Sequence, residues 1–253
     1  MKAALRLILL MFLAGLSLQL YFVGRIALMV VVDPESTAFE RSAVYSVATT
    51  TGSLKWRQQW VPYSGMSDNL KRAVIASEDA SFNEHEGVDV EALEKAWDKN
   101  AKAEKQAGQG AQQSTNKAAS AKTPAKPVKP PKIVGGSTIT QQLAKNLFLS
   151  GERTLLRKGQ ELVLTLLLEK LLDKERILEI YLNSVEWGEG VFGAEAAAQH
   201  YYRKSASKLS AYEAARLAVM LPRPKYFETR LNSGFLSSRA STIAARMGGV
   251  ELP

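Results

Sequence analysis

The sequence has no cysteine among its 253 residues and only two histidines. The absence of cysteine excludes disulfides, zinc–thiolate sites and a cysteine nucleophile. It does not fix the compartment, because exported bacterial proteins often lack cysteine as well. A chain of this length can bury one substantial core, or at most two small ones.

Charged residues are absent from residues 7–24, LILLMFLAGLSLQLYFVG. At about 1.5 Å per residue, this span nearly crosses a hydrocarbon core of roughly 30 Å. A cleaved signal peptide is the alternative, but no clear small-x-small cleavage site follows. Lys2 and Arg6 precede the span, so the positive-inside rule predicts a cytoplasmic N-terminus. We therefore expect a membrane anchor over residues 1–32, with the rest of the chain outside the cytoplasm.

The positive charge is unevenly distributed. The net charge is +8, and residues 99–132 contain eight lysines and one glutamate, which leaves about +1 for the rest. This stretch is rich in Ala, Lys, Gln and Pro, which predicts a disordered insert at about 99–134. It has no aromatic residues for stacking on bases, so we do not expect a nucleic-acid partner. Contact with an anionic lipid or polymer stays open.

Helical patterns dominate from Ser67 onward and predict a mainly α fold with little β structure. Ser67 is a predicted N-cap, because apolar residues follow it at helical spacing. Thr138-x-x-Gln141 and Ser210-x-x-Glu213 are predicted capping boxes. Each of these positions therefore predicts the beginning of a helix.

The remaining boundaries follow from composition and turn residues. Residues 33–66 form a predicted juxtamembrane segment with a short hairpin or extended stretch around residues 51–53. Residues 67–230 form the predicted main domain, and residues 231–253 a C-terminal tail. Within the domain, residues 159–183 predict two consecutive helices, because Asp173 and Lys174 interrupt the apolar pattern. A Gly-rich loop and an Ala-rich helix to about residue 202 follow.

Residues 74–89, VIASEDASFNEHEGVD, concentrate five carboxylates and a histidine beside a predicted helix. Glu78 lies four residues after Val74, so it ends the apolar face of that helix. Partial burial there raises the pKa of a carboxyl toward the range that suits a general base or acid. A frayed, hydrated helix end is one alternative. A metal site at Glu84-His85-Glu86 is another, although adjacent side chains diverge and no His-x-x-x-His pair exists.

Two further clusters carry polar side chains at helical spacing. Thr138, Gln142 and Lys145 form a polar stripe behind a Gly-Gly-Ser turn, which suits an anionic or hydroxyl-rich ligand or an ordinary amphipathic helix. Arg157 and Glu161 are spaced for an ion pair contributing about 0.3–0.5 kcal/mol. Cations near a helix N-terminus oppose its dipole, which favours a role toward an anion.

Five segments, in order, resemble the motifs of glycosyltransferase family 51, the peptidoglycan glycosyltransferases, over about residues 60–225. The segments are EDASFNEHEG (78–87), GGSTITQQ (135–142), RKGQE (157–161), KERILEIYLN (174–183) and EAARLAVMLPRP (213–224). The anchor and the short chain resemble the monofunctional biosynthetic type. No Lys-Thr-Gly accompanies the Ser-x-x-Lys strings, so a transpeptidase site is not expected.

The resemblance implies a lysozyme-like helical domain that polymerises lipid II into β1,4-linked glycan, with inversion at C1 and release of undecaprenyl diphosphate. It implies that Glu78 is the general base and Glu161 a second essential glutamate, either catalytic or structural. Lys145, Arg157 and Lys158 match phosphate-contacting positions. The other matched positions are Thr138 and Gln142, which line the donor site in the family, and the supporting residues Asp79, Phe82, His85, Gly87, Ser137 and Asn183.

No cofactor is certain from the sequence and no dedicated metal ligand set is visible, although Mg²⁺ or Mn²⁺ at the diphosphate stays open. The expected partners are lipid II, the nascent glycan strand and the inner membrane, with division or elongation proteins as further candidates. A lysozyme-like hydrolase and a non-enzymatic cell-wall scaffold are the alternatives. The cationic positions argue against the hydrolase, because a diphosphate leaving group needs them and a glycan hydrolase does not.

Overall fold

The computed structural model describes residues 2–52, 56–121, 136–149 and 154–253. The predicted mainly α fold class is confirmed. Within these ranges the chain forms eleven α-helices and two short strands, as follows: α1 Lys2–Leu28, α2 Ala38–Thr51, α3 Asp68–Glu78, α4 Val90–Ala121, α5 Ile139–Phe148, α6 Leu155–Leu171, α7 Lys174–Ser184, β1 Glu186–Gly188, β2 Val191–Phe192, α8 Ala194–Tyr202, α9 Ala211–Met220, α10 Pro224–Glu228 and α11 Gly234–Arg246.

The chain divides into two compact units. One comprises Met1–Val88 and Thr138–Pro253, and the other comprises Asp89–Ser137. The first unit contains the hydrophobic core and ten of the eleven described helices. The second unit contains α4.

Helix α1 is long and apolar enough to cross a membrane, with a mean hydropathy of 2.1 over its most apolar window. Its buried residues, Phe22 and Ile26, lie toward its C-terminal end, and the rest of its surface is largely exposed. Phe22 packs edge-on against Phe148 of α5, with ring centroids 5.3 Å apart. This arrangement is consistent with a membrane anchor whose last turns contact the folded body.

Helix α2 corrects the prediction of a hairpin or extended stretch within residues 33–66. The β-branched residues near its end favour strands, but both ends of the segment carry helix signals. Thr37 and Glu40 form a capping box, and Gly52 ends the helix in the left-handed conformation with φ 67°. Strand pairing in the described part of this segment is a single bridge between Arg57 and Val191.

The core is built around α3, α5, α7 and α9. On α3, Leu70, Ala73 and Val74 are fully buried, and the helix packs against α9. The predicted helix starts are confirmed: Ser67 accepts a hydrogen bond from the Leu70 amide, and capping boxes begin α5 and α9. These caps satisfy backbone N–H groups that the first helical turn leaves unpaired.

The predicted break inside residues 159–183 is also confirmed. Helix α6 ends at Leu171, and Asp173 caps α7 by accepting a hydrogen bond of 2.7 Å from the Arg176 amide. Helix α6 begins at Leu155, four residues earlier than the prediction. The Gly-rich loop contains the antiparallel pair β1–β2, and the Ala-rich helix α8 ends at Tyr202, as predicted.

The C-terminal residues are not a tail. Helix α11 packs against α9 and α3 and buries Leu236, Ala240 and Ile243. These residues recur at i, i+4 and i+7, which is the spacing of one helix face. The prediction of a tail at residues 231–253 was wrong because this short apolar stripe was not recognised.

In the second unit, the Asp89 side chain accepts a hydrogen bond of 2.7 Å from the Ala92 amide near the start of α4. Residues 99–121 are helical, which differs from the predicted disorder at about 99–134. Ala, Lys, Gln and Glu have high intrinsic helix propensity, which favours a helix in a stretch of this composition. The rest of the predicted insert, residues 122–134, lies outside the described residues.

Candidate active site

Glu78 is the last residue of α3 and is half-buried. Burial is the main cause that raises the pKa of its carboxyl, and the neighbouring Asp79 carboxylate raises it further. A hydrogen bond from Gln142 and the charge of Lys145 act in the opposite direction. The Gln142 Nε2 atom lies 2.9 Å from Glu78 Oε2. The structure therefore places a partly desolvated carboxylate at the end of an apolar helix face, as the spacing predicts.

Asp79 holds the loop after α3 against the beginning of α5. Its Oδ1 lies 2.9 Å from His85 Nε2, and its Oδ2 accepts a hydrogen bond of 2.9 Å from the Ile139 amide. His85 Nδ1 accepts a hydrogen bond from the Gly87 amide at 3.1 Å, so the proton of a neutral ring lies on Nε2 and faces Asp79. Asp79 and His85 thus connect the loop after α3 to the first turn of α5.

Thr138 is 2% exposed. Its hydroxyl donates a hydrogen bond of 2.6 Å to the Gly87 carbonyl oxygen and accepts one from the Gln141 amide. The Thr138 side chain is therefore enclosed by the protein, with its hydroxyl engaged by Gly87 and Gln141. Phe82 is fully buried and lies edge-on to His85, so the two rings pack against each other within the acidic run.

Glu161 is 4% exposed and accepts hydrogen bonds from two cations on the first turns of α6. Arg157 Nη1 lies 3.0 Å from one carboxylate oxygen, and Lys158 Nζ contacts the other. The ion pair expected from the i, i+4 spacing is confirmed. Two cations share one buried carboxylate, which leaves a net positive charge, and the buried Arg157 Nε atom has no hydrogen-bond partner among the described residues.

Lys145 connects the two clusters electrostatically. Its pKa is lowered, first by the loss of hydration and then by the charges of Arg157 and Lys158, while the carboxylates of Glu161 and Glu78 raise it. Its side chain remains exposed on α5. Lys145 thus interacts electrostatically with both the general-base candidate and the cationic cluster, and positive charge in such a site stabilises an anionic group beside a reacting hydroxyl.

Sequence reasoning did not identify Tyr181, Lys174 or Glu169. The Tyr181 hydroxyl lies 3.0 Å from Gln142 Oε1. Lys174 Nζ donates to the His85 carbonyl oxygen at 2.6 Å and to Glu169 at 2.8 Å, and it lies 4.6 Å from the centroid of the Phe82 ring. Lys174 and Tyr181 belong to a motif quoted above. Glu169 is only five residues from Lys174, but His85 and Gln142 are far away in sequence, so no local pattern reveals those two contacts.

The remaining predicted supports lie elsewhere or at the surface. Asn183 is fully buried and its amide exchanges hydrogen bonds with both backbone groups of Val61, so it fastens the segment before α3 to α7. Ser137 is exposed and belongs to the second unit. Gly135 of the second motif lies outside the described residues.

The donor set does not fit a protein-held divalent cation. Both oxygens of Asp79 accept hydrogen bonds, and both oxygens of Glu161 face cations. Among the residues that the structure describes, no group of three or more His, Asp or Glu side chains could hold a metal ion. We therefore derive no chemical step through a metal.

Comparison with known proteins gives a consistent result. Residues 46–123 and 113–248 match the family described as Transglycosylase. A biosynthetic peptidoglycan transglycosylase of Burkholderia thailandensis is 53% identical over 240 residues, which cover 95% of this chain and 84% of the relative. One of Herminiimonas arsenicoxydans is 50% identical over 247 residues, covering 98% and 96%. One of Burkholderia cenocepacia is 50% identical over 240 residues, covering 95% and 87%.

Proposed function

Because the chain belongs to the transglycosylase family, we propose that Glu78 is the general base of its glycosyl transfer. The enzyme is a peptidoglycan glycosyltransferase. The observation that carries the assignment of the base is the half-buried Glu78 carboxyl at the end of α3, which accepts a hydrogen bond of 2.9 Å from Gln142 and whose pKa is raised by burial. A general base acts best when its pKa lies near the working pH.

The proposed substrates are lipid II and the growing glycan strand. The 4-hydroxyl oxygen of the incoming N-acetylglucosamine forms a bond to C1 of the strand while the bond from C1 to the diphosphate oxygen breaks. The hydroxyl proton passes to the Glu78 carboxylate, and undecaprenyl diphosphate leaves with the bonding electron pair. This single displacement inverts configuration at C1 and needs no covalent enzyme intermediate.

The leaving diphosphate is already anionic, so it needs positive charge more than a proton donor. We propose that Lys145, Arg157 and Lys158 supply that charge. Glu161 then has the role of holding the two helix cations in place, because it contacts both of them. Gln142 acts on Glu78 through the hydrogen bond between them.

The hydrolase alternative fits this site less well. A glycan hydrolase must protonate a neutral leaving oxygen. One carboxyl group with a raised pKa is sufficient for that step. Three cations, two of them held by a buried glutamate, have no task in that reaction. A non-enzymatic scaffold would need neither the cations nor a desolvated carboxyl. The cationic group therefore favours the transferase.

We also propose that α1 anchors the enzyme in the bacterial inner membrane with its N-terminus in the cytoplasm. Lys2 and Arg6 flank the apolar span on that side, in agreement with the positive-inside rule. The active site then faces lipid II at the outer face of this membrane. Division or elongation proteins are further proposed partners.

The test uses the detergent-solubilised full chain with labelled lipid II. We expect Glu78→Gln to lower the rate of polymerisation by about 10²–10⁴-fold, because removal of a general base has this effect. Glu84→Gln is the matched control, since Glu84 is an exposed carboxylate in the same acidic run. Undiminished polymer from the Glu78 variant, or shortening of pre-made glycan by the wild type, would overturn the proposal.

A further inference from the structure

We infer that Tyr181 is a positioning residue for the reaction and acts through Gln142 on Glu78. This inference rests on the proposed role of Glu78 as the base. Three side chains from three helices form a continuous chain of hydrogen bonds, with Glu78 on α3, Gln142 on α5 and Tyr181 on α7.

The geometry fixes which end of the Gln142 amide faces the base. An ionised carboxylate only accepts hydrogen bonds, whereas an amide side chain both donates and accepts. The Gln142 Nε2 atom lies 2.9 Å from Glu78 Oε2, and the Tyr181 hydroxyl lies 3.0 Å from Gln142 Oε1. The hydroxyl thus donates to the carbonyl end, which leaves the NH₂ end directed at Glu78.

Tyr181 is well suited to this task because it remains a donor. Its side chain is fully buried, and burial together with the charges of Glu78 and Asp79 raises its pKa well above the ordinary value. The phenol is therefore uncharged at working pH and cannot compete with Glu78 as a base. Without the hydroxyl, the amide oxygen of Gln142 loses its donor and the amide is free to turn.

Two charged groups, Asp79 and Lys145, act most strongly on Glu78. Asp79 lies beside it and raises its pKa, while Lys145 on α5 lowers it. Helices α9 and α11 pack against α3, and the residues that they bury are all apolar. Among the interactions that lower the pKa of Glu78, the hydrogen bond from Gln142 is the strongest. A residue that holds the Gln142 amide in place therefore affects how readily Glu78 ionises.

The test is the pH dependence of polymerisation by Tyr181→Phe, which removes only the hydroxyl. A hydrogen bond contributes about 1 kcal/mol, and 1.36 kcal/mol corresponds to one pKa unit. We expect the acid limb of kcat to move to higher pH by about half to one unit. KM for lipid II should stay unchanged, because Tyr181 is fully enclosed.

Tyr201→Phe is the matched control. It also removes a hydroxyl that donates to a carbonyl oxygen, that of Trp187 at 2.8 Å, and we expect its acid limb to coincide with that of the wild type. An unmoved acid limb in a folded Tyr181→Phe variant, or an equal shift in Tyr201→Phe, would contradict the inference.

Gln142→Leu separates positioning from a general effect on stability. If Tyr181 acts through Gln142, the leucine variant shows the same upward shift, and adding Tyr181→Phe to it moves the acid limb no further. Additive shifts would mean that Tyr181 acts independently of the amide. If Tyr181→Phe does not fold, an acid limb unmoved in Gln142→Leu overturns the inference. Retained activity of Glu78→Gln would instead overturn the proposed function itself.

Discussion

Gly87 ends the acidic loop in a conformation that side chains rarely adopt. Its φ is +85°, and a Cβ atom there would lie 2.7 Å from Thr165 Cγ2 and 2.9 Å from Glu169 Cγ. The carbonyl oxygen of Gly87 accepts a hydrogen bond from the Thr138 hydroxyl, and the Gly87 amide donates a hydrogen bond to His85 Nδ1. The glycine therefore allows close approach of the loop to α6 and joins two supports of the candidate base.

We predict that Gly87→Ala lowers the free energy of unfolding by roughly 2–5 kcal/mol, because a left-handed conformation and an overpacked contact are both unfavourable. Gly52→Ala is the control. Gly52 also has positive φ, at +67°, but a Cβ atom there would have no described neighbour within 4 Å. That variant should lose only about 1–2 kcal/mol, the cost of the left-handed conformation alone. Thermal unfolding in detergent measures both, and equal losses would show that the contacts of Gly87 do not matter.

Local signals in the sequence indicated some features of the site. The spacing from Val74 predicted a partly buried carboxyl at Glu78, and the i, i+4 spacing predicted the Arg157–Glu161 ion pair. Tyr181 and Gln142 are 39 residues apart in sequence, so only the packing of α7 against α5 brings them together. The role of Thr138 as an enclosed link to Gly87 depends on tertiary packing in the same way.

At the level of elements, α2 begins with a buried carboxyl. Glu40 is 1% exposed, and its oxygens accept hydrogen bonds from the Thr37 amide at 2.7 Å and from Gln58 Nε2 at 3.2 Å. Burial raises the pKa of Glu40 to about 7, although Thr37 and Arg41 oppose the shift. The folded state therefore binds the proton of the Glu40 carboxyl more tightly than the unfolded chain does.

The sign of the pH effect follows from this difference. Between pH 4.5, the ordinary pKa of the group, and about 7, the folded state binds more protons, so the free energy of unfolding falls as pH rises. The contribution is at most about 3 kcal/mol. We predict that Glu40→Gln, which cannot ionise, gains stability relative to the wild type across this window.

Melting temperatures of the two proteins from pH 5 to pH 8 check the prediction. Glu35→Gln is the control, because Glu35 is an exposed carboxylate five residues earlier. It should follow the wild type at every pH. A constant difference between Glu40→Gln and the wild type would mean that the Glu40 carboxyl does not set this pH dependence.

The predictions for α2, α4 and α11 differed from the structure for different reasons. Helix α11 carries a regular apolar stripe that was present in the sequence but short. Helix α2 has its capping box and a terminal glycine, and these local signals outweigh its β-branched residues. Residues 99–121 of α4 are rich in Ala, Lys and Gln and contain no large apolar residue, so their composition predicted disorder although each of these residue types favours a helix.

At the scale of the whole molecule, the candidate site belongs to one unit. With the exception of Ser137, every side chain assigned to it lies in the unit formed by Met1–Val88 and Thr138–Pro253. The ordered motifs were sufficient to predict the fold class and the family. The sequence could not place the clusters relative to one another, because that depends on how α3, α5, α6 and α7 pack.

We predict that an enzyme lacking residues 101–131 still polymerises lipid II, because these residues belong to the other unit, Asp89–Ser137. The deleted segment contains six lysines and one glutamate and none of the proposed catalytic or diphosphate-binding residues. Replacing the same residues with a Gly/Ser linker of equal length is the control, since it removes the sequence and keeps the reach of the chain. Polymer from both variants is expected. Loss in the deletion alone would mean that the length of the connection matters, and loss in both folded variants would assign a function to the lysine-rich segment.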